Sequence, residues 1–298
     1  MPRTQLPSEI EVEYLTTGNR NHPALLIANG FTSQLIAWEA AFIELLVAQG
    51  LFVIQYDNRD VGLSSKLDGQ NVNPMKVLSA QLAGDPIPDV PYTLSDMAAD
   101  GIGLLDHLSI DRAHITGNSM GGMIVQTMAI EHPARVASVT SIMSSTGDPR
   151  VGKPTKEARE ALLATPPAGR KEYVAASIKA EVWASKRYCD HDAIRALAAA
   201  SYDRCFYPTG SLRQLAAIYA SGDRAEGLRN LDIPFLVIHG RDDTLITPGG
   251  GEQTAELVPG SQYLLLSDMG HDMPRELWPV LAEAIGGHIR SSRSAVAD

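Results

Sequence analysis

Residues Gly117-Asn118-Ser119-Met120-Gly121 set one serine between two glycines, after the apolar run "AHIT" and before the helical pattern "MIVQTMAIEH". A serine hydroxyl is a poor nucleophile unless a base takes its proton and the backbone exposes it. A G-x-S-x-G sequence at a strand-to-helix junction supplies the exposure. The serine occupies a sharp, strained turn, and side chains two residues before and after it would collide with the neighbouring strand and helix. Gly117 and Gly121 hold those two places. The N–H of Met120, at the start of the following helix, then points at a developing oxyanion. The chemistry implied is nucleophilic attack by Ser119 on an acyl carbon.

Such a serine needs a histidine base near neutral pH, held by a carboxylate. Of eight histidines, His271 follows "LLLSDMG", a loop just past a strand, with Gly270 allowing close approach. His239 ends a strand but precedes the candidate acid. His107, His132 and His288 fall in helical patterns, where a solvated or capping role is expected; His22 lies in an early loop and His114 inside a strand. His191, in "CDHDA", could suggest a metal site, yet a helix N-terminus with capping aspartates accounts for it more simply. For the acid, "HGRDDTLITP" (239–248) follows the strand "FLVI", and either Asp242 or Asp243 could reach. The Gly-x-x-Asp spacing from Gly240 selects Asp243, with Asp242 as the fallback. The chain order is then Ser…Asp…His, each member just past a strand.

The elements that must position these residues are legible as alternation. "ALLIAN" (24–29), "LFVIQYD" (51–57), "AHITGN" (113–118), "VASVTSIMSS" (136–145), "FLVIHG" (235–240) and "QYLLLS" (262–267) are continuous apolar runs ending in turn residues. Strands buried on both faces have this character. Helical patterns fall at 38–49, 94–108, 120–132 and 276–290, the second with Leu94, Met97, Ala98, Ile102, Leu105 and Leu108 at helical spacing and Thr93 or Ser95 as N-cap. The alternation predicts an α/β fold, a mostly parallel sheet flanked by helices. "EVEYLTTG" adds an antiparallel edge hairpin. Residues 146–230 break the rhythm with helical rather than strand patterning, which predicts a helical insertion, a lid or cap, between two sheet strands. The core is then residues 1–145 and 231–298. The closing "SSRSAVAD" is polar and small, an end expected to fray.

Composition excludes several classes. The 298 residues are 44% hydrophobic and 20% charged, ordinary for a soluble globular protein. A formal net charge of -10 argues against a nucleic-acid partner. Two cysteines, Cys189 and Cys205, make no disulfide framework and no zinc spacing. Neither a signal peptide nor an apolar run of membrane-spanning length is visible, so a cytoplasmic protein with no membrane partner is expected.

Six segments together, "ANGF" (28–31), "YDNRDVGLSS" (56–65), "YTLSDMAADGIGLLDHLSI" (92–110), "GNSMGG" (117–122), "HGRDDTLITP" and "DMGHD" (268–272), resemble the α/β-hydrolase superfamily across essentially the whole chain. The resemblance implies the α/β-hydrolase fold with an inserted helical cap, and a second oxyanion donor at the N–H of Phe31. Asn29 stands where many relatives carry histidine, but the donor is backbone. It also implies a structural Asp57–Ser64 segment, with Arg59 and Asp60 supporting rather than catalytic. Within the superfamily, "YDxRDxGxS" and "YTLxDMAxD" are similar to the carboxylesterase group that contains aclacinomycin methylesterase. Haloalkane dehalogenases and epoxide hydrolases carry aspartate at the nucleophile position, which Ser119 argues against. "GNSMGG" is also similar to carbon–carbon bond hydrolases of aromatic ring-cleavage products, but those carry a longer glycine-rich loop and a tryptophan after the histidine, where this chain has Asp272.

The expected activity is hydrolysis of a small-molecule carboxylic ester, a methyl ester or one with a small or medium apolar acyl group. It proceeds through an acyl-enzyme with no metal or organic cofactor. The alternatives are carbon–carbon hydrolysis, acyl transfer to an alcohol or peroxide, and a non-catalytic ligand receptor on the same fold. Trp38, Met143, Trp183, Tyr188, Phe206 and Met273 are candidates for the pocket wall, though core packing is the expected role of each one taken singly. Oligomeric state is not readable from the sequence.

Overall fold

An apolar run with no polar face is satisfied only by a strand covered on both sides, and alternate residues must then serve two different cores. The computed structural model, which describes residues 1–294, has this arrangement. The chain opens with β1 (Arg3–Gln5) and β2 (Glu11–Thr17), then β3 (Ala24–Ala28), α1 (Ala40–Ala48), β4 (Phe52–Tyr56), α2 (Pro74–Ala83) and α3 (Leu94–His107). β5 (Ala113–Asn118), α4 (Met120–Glu131) and β6 (Val136–Ile142) follow. The chain next forms α5 (Lys156–Leu162), α6 (Arg170–Ala176), α7 (His191–Arg204), α8 (Gly210–Ser221) and α9 (Ala225–Arg229). It returns to the sheet with β7 (Phe235–Gly240), α10 (Gly249–Leu257), β8 (Gln262–Leu266) and α11 (Trp278–Ser294).

Among the described residues the strands form one sheet in the order β1-β2-β4-β3-β5-β6-β7-β8. β1 and β2 make the expected antiparallel hairpin and β2 runs antiparallel to β4; β4 onward is parallel. Leu26 and Ala28 of β3 pack in one core with Ile54, Met97, Leu105, Ile124 and Met128, under α3 and α4. Leu25 and Ile27 pack in the other with Phe42, Leu46, Leu281 and Ile285, under α1 and α11. The register brings Ala28 beside Gly117, Asn118 beside Ile142, and Gly240 beside Leu266. The carboxyl ends of these parallel strands therefore share one edge, and the loops carrying Asn29–Thr32, Ser119, Asp243 and His271 all leave from it. That edge is where parallel sheets hold ligands.

Two helices, α2 and α10, carry no expectation from the sequence, and one end differs from it. Helical structure runs through Ser291–Ser294 at the end of α11, where fraying is expected; residues 295–298 lie outside the described residues. His288, expected solvated or capping, is only 6% exposed. Cys189 and Cys205 are free and half-buried. No helix among the described residues is long and apolar enough to cross a membrane.

Candidate active site

Ser119 stands between β5 and α4 with φ 55° and ψ −120°. A non-glycine residue there is strained by about 1–3 kcal/mol, so its surroundings must over-determine it. They do: Ser119 N–H donates to the Ile142 carbonyl at 2.9 Å, and Ser144 Oγ donates to the Ser119 carbonyl at 2.8 Å. A Cβ on Gly117 would lie 2.2 Å from the Gly121 carbonyl oxygen, and one on Gly121 would lie 2.1 Å from the Ala28 carbonyl oxygen. The two glycines therefore let β5 and the first turn of α4 approach each other and the end of β3. Met120 opens α4, where backbone N–H groups lack intrahelical partners.

His271 Nε2 lies 2.9 Å from Ser119 Oγ, and its Nδ1 lies 2.7 Å from Asp243 Oδ2. A proton on Nδ1 leaves Nε2 free to accept from the serine. The imidazole is held through its backbone as well, by a 2.6 Å bond from His271 N–H to the Trp183 carbonyl. Gly270 permits this approach, since a Cβ there would sit 2.3 Å from that same carbonyl oxygen. Asp243 Oδ1 accepts the N–H groups of Leu245 and Ile246 at 2.8 and 2.9 Å. Burial pushes the Asp243 carboxyl up. The charge of a protonated His271 and the hydrogen bonds from His239 and His271 outweigh burial and hold it below the usual carboxylate range. Asp242, the alternative acid, instead pairs with Lys186 at 3.2 Å.

His239 is fully buried beside this group. Its Nε2 lies 2.8 Å from the Ile246 carbonyl and 3.3 Å from Asp243 Oδ2, both acceptors, so Nε2 carries the proton. Its Nδ1 has no hydrogen-bond partner among the described residues, and Gly251 of α10 closes over it. Asp272, next to His271, accepts from Ser185 N–H and Gly270 N–H on one oxygen, and burial raises its carboxyl.

The turn after β3 leans on Ser119. A Cβ on Gly30 would be 3.3 Å from the Asn118 carbonyl and 3.5 Å from Ser119 Cβ. Ser33 N–H closes the turn on the Gly30 carbonyl at 3.1 Å, with Phe31 and Thr32 at its centre. Phe31 packs at the edge of the core under α3 and α4.

The six apolar candidates scatter. Trp38 is 2% exposed, packs on Phe42 at 5.6 Å between ring centroids, and donates through Nε1 to Asn118 Oδ1 at 3.3 Å. Met143 is buried in the same core with φ 41°, and Met273 packs against that core. Trp183 is half-buried, its backbone against the His271 loop. Phe206 stacks on Tyr202 of α7 and meets Tyr173 of α6 edge-on, with centroids 4.7 and 5.4 Å apart. Tyr188 lines an outer concavity of about 570 Å³ with Cys189, His191 and Glu276. His191 opens α7 behind the N-cap Asp190, as expected, and pairs with Glu181.

What the sequence did not reveal is how residues 146–230 are fastened to the sheet. Arg204, at the end of α7, reaches Asp57 Oδ2 at 2.7 Å, while Asp57 Oδ1 accepts Leu35 N–H. Arg213 of α8 grips both oxygens of Asp60 at 2.8 Å, and Gln214 bonds to the Thr32 N–H and the Arg59 carbonyl. Arg59 turns the other way and grips Asp100 of α3 at 2.7 Å through two nitrogens. The supporting role expected of Arg59 and Asp60 thus takes a definite form: one ties the "YDNRD" turn to the sheet's own helix, the other ties it to α8.

The alpha/beta hydrolase fold family matches residues 23–182 and 174–274. Rhodomycin D methylesterase DauP of Streptomyces sp. (strain C5) is 27% identical, covering 91% of each chain. 3-oxoadipate enol-lactonase 2 of Acinetobacter baylyi is 26% identical over 88% of this chain and 87% of its own. The crystal structure of the enol-lactonase from Burkholderia xenovorans LB400 superposes with a TM-score of 0.74 at 23% identity, over 97% of this chain and 100% of that one. The superfamily and methylesterase likenesses carried by the six sequence segments are borne out.

Proposed function

The chain belongs to the alpha/beta hydrolase fold family, and on that premise we propose that it is a carboxylic ester hydrolase working through Ser119, His271 and Asp243. The observation that carries this is the unbroken line of contacts from Ser119 Oγ through both ring nitrogens of His271 to Asp243, at 2.9 and 2.7 Å. Ser119 Oγ attacks the ester carbonyl as its proton passes to His271 Nε2. Asp243 holds the Nδ1–H tautomer and stabilises the imidazolium. The N–H groups of Phe31 and Met120 receive the oxyanion, each donor contributing roughly 2.7–4 kcal/mol. His271 then protonates the leaving alcohol, and water repeats the steps on the acyl-enzyme. The chemistry calls for no metal or organic cofactor.

The substrate class is a methyl ester or an ester of a small or medium apolar acid. A methylesterase and an enol-lactonase among the similar proteins support this, since both names denote ester cleavage. Residues 146–230 act as the cap over a core of 1–145 and 231–298. The Arg204–Asp57 and Arg213–Asp60 pairs support that division, because they fasten a helical layer to the strand-end loops. Of the six pocket candidates, Trp183 is the best supported, through its contact with His271. Two free thiols fit a reducing, cytoplasmic compartment.

The test is hydrolysis of p-nitrophenyl esters from acetate to laurate, with Ser119→Ala beside the parent and fluorophosphonate labelling of both. Turnover and labelling that vanish together in the folded alanine form are expected. A folded parent that neither turns over nor labels would rule out ester hydrolysis.

A further inference from the structure

We propose that Gln214, on α8, is a positioning residue for the oxyanion turn, which makes the insertion part of the catalytic apparatus rather than only a roof. The proposal rests on the ester-hydrolase reading and on Phe31 N–H as an oxyanion donor. Gln214 is fully buried, and its amide has two fixed partners: Oε1 accepts Thr32 N–H at 2.9 Å, and Nε2 donates to the Arg59 carbonyl at 3.0 Å. A reversed amide would face donor with donor and acceptor with acceptor, so its orientation is set.

The Thr32 N–H belongs to the central peptide of the Gly30–Ser33 turn. Thr32 has φ 57°, a left-handed value that a β-branched side chain resists and that turns usually assign to glycine or asparagine. Left alone, such a turn relaxes by rotating its central peptide, which swings Thr32 N–H away and changes the angle of the adjoining Phe31 peptide. The Gln214 acceptor opposes that rotation by holding the N–H in place. Gln214 is itself anchored: the preceding Arg213 grips Asp60, and Gly210 packs so closely that a Cβ would lie 2.1 Å from the Asp60 carbonyl oxygen. The turn in turn abuts Ser119 through Gly30. The chain of contact therefore runs from α8 through one amide and one strained turn to the nucleophile.

Gln214→Met keeps volume and removes both hydrogen bonds; Gln214→Glu, protonated on the oxygen that faces the Arg59 carbonyl in this buried place, keeps an acceptor for Thr32 and a donor for Arg59. With active sites counted by the p-nitrophenol burst, Gln214→Met should lose about 10- to 100-fold in kcat with KM changed less than about 3-fold. Gln214→Glu should recover most of that loss. The decisive readout is the Thr32→Gly background, where glycine holds the left-handed φ unaided. There Gln214→Met should cost less than about 3-fold in kcat. A merely structural glutamine would lose the same factor with Thr32 or Gly at that position, and that result overturns the proposal, as does an unchanged kcat in Gln214→Met. If Gln214→Met does not fold, Gln214→Glu decides, assayed at the acidic end of the parent's active range where the acid is protonated: kcat within about 3-fold of the parent supports the proposal, and any larger loss overturns it. A parent with no burst and no fluorophosphonate labelling overturns the ester-hydrolase reading instead, so the two failures are distinct.

Discussion

Replacing Arg213 with methionine leaves one carboxylate stranded, and the structure allows the cost to be worked out. The side chains of Arg213 and Asp60 are 5% and 0% exposed, joined by two bonds of 2.8 Å. Once the guanidinium is gone, Asp60 keeps the Leu67 N–H on Oδ1 at 2.9 Å and the neighbouring Tyr92 hydroxyl, neither of which carries a positive charge. Removing one partner of a buried pair costs about 3–5 kcal/mol, because the remaining charge is uncompensated. Unfolding entropy of about 2.1 cal/mol/K per residue gives roughly 0.6 kcal/mol/K for this chain, so the midpoint should fall by about 5–8 °C. Asp60→Asn added to Arg213→Met should restore at least half of that. Asparagine still accepts from Leu67, carries no charge, and tolerates the φ of 66° at this position. Thermal unfolding followed by circular dichroism reads both numbers. A double variant no more stable than Arg213→Met alone would refute the unpaired-charge account and assign the loss to packing of the arginine stem.

Gly121→Ala should destabilise by at least about 1–3 kcal/mol and lower kcat by about 100-fold per active site, because its Cβ, 2.1 Å from the Ala28 carbonyl, pries α4 from the end of β3; burst-normalised kinetics that match the parent would refute this. His288→Met should flatten the loss of stability on acidification. Burial holds the His288 imidazole below its ordinary value despite the nearby Pro234 and Val139 carbonyls. The unfolded chain therefore binds a proton that the folded one refuses, so the contribution is full above about pH 6.5 and declines as pH falls through the folded value. Urea midpoints at pH 7.5 and 5 would show the parent losing more than the variant; equal losses would contradict the assignment.

How much of this was legible in the sequence follows the range of the forces involved. Strands and the helices beside them announce themselves through local apolar period, and Ser119, Asp243 and His271 through their places just after strands. α2 also carries local signals: Asn73 caps it, Pro74 opens it and Gly84 ends it at φ 72°. α10 does not. Its "GGG" start has poor helix propensity, and the glycines are there because α10 presses on its neighbours: a Cβ on Gly251 would lie 2.4 Å from His239 Nδ1. Close packing overrides propensity at that point, and only the folded chain shows it.

The attachments of the insertion were hidden for a different reason. Asp57 and Asp60 sit in an apolar-flanked turn and, if buried, require cations, but 25 lysines and arginines could supply them. Arg204 and Arg213 look like ordinary solvated charges on alanine-rich helices, since charge content is local and partner choice is not. The same holds for Gln214, whose sequence neighbourhood says only "helix". These three residues nonetheless touch the loops after β3 and β4, while the Val182 and Trp183 carbonyls accept from Thr244 Oγ1 and His271 N–H in the loops that carry Asp243 and His271. Residues far apart in the insertion therefore hold two separate loops: Gln214 the Gly30–Ser33 turn, Trp183 the His271 loop. A segment that only covered the substrate could drift by an ångström at little cost. Under the proposed mechanism, one that also holds the Gly30–Ser33 turn and the His271 loop could not, since displacements of that size at reacting groups cost about 100-fold in rate. The buried Asp60–Arg213 pair suits this demand: a bidentate pair withdrawn from water fixes direction as well as distance, which a solvated pair or a greasy contact does not.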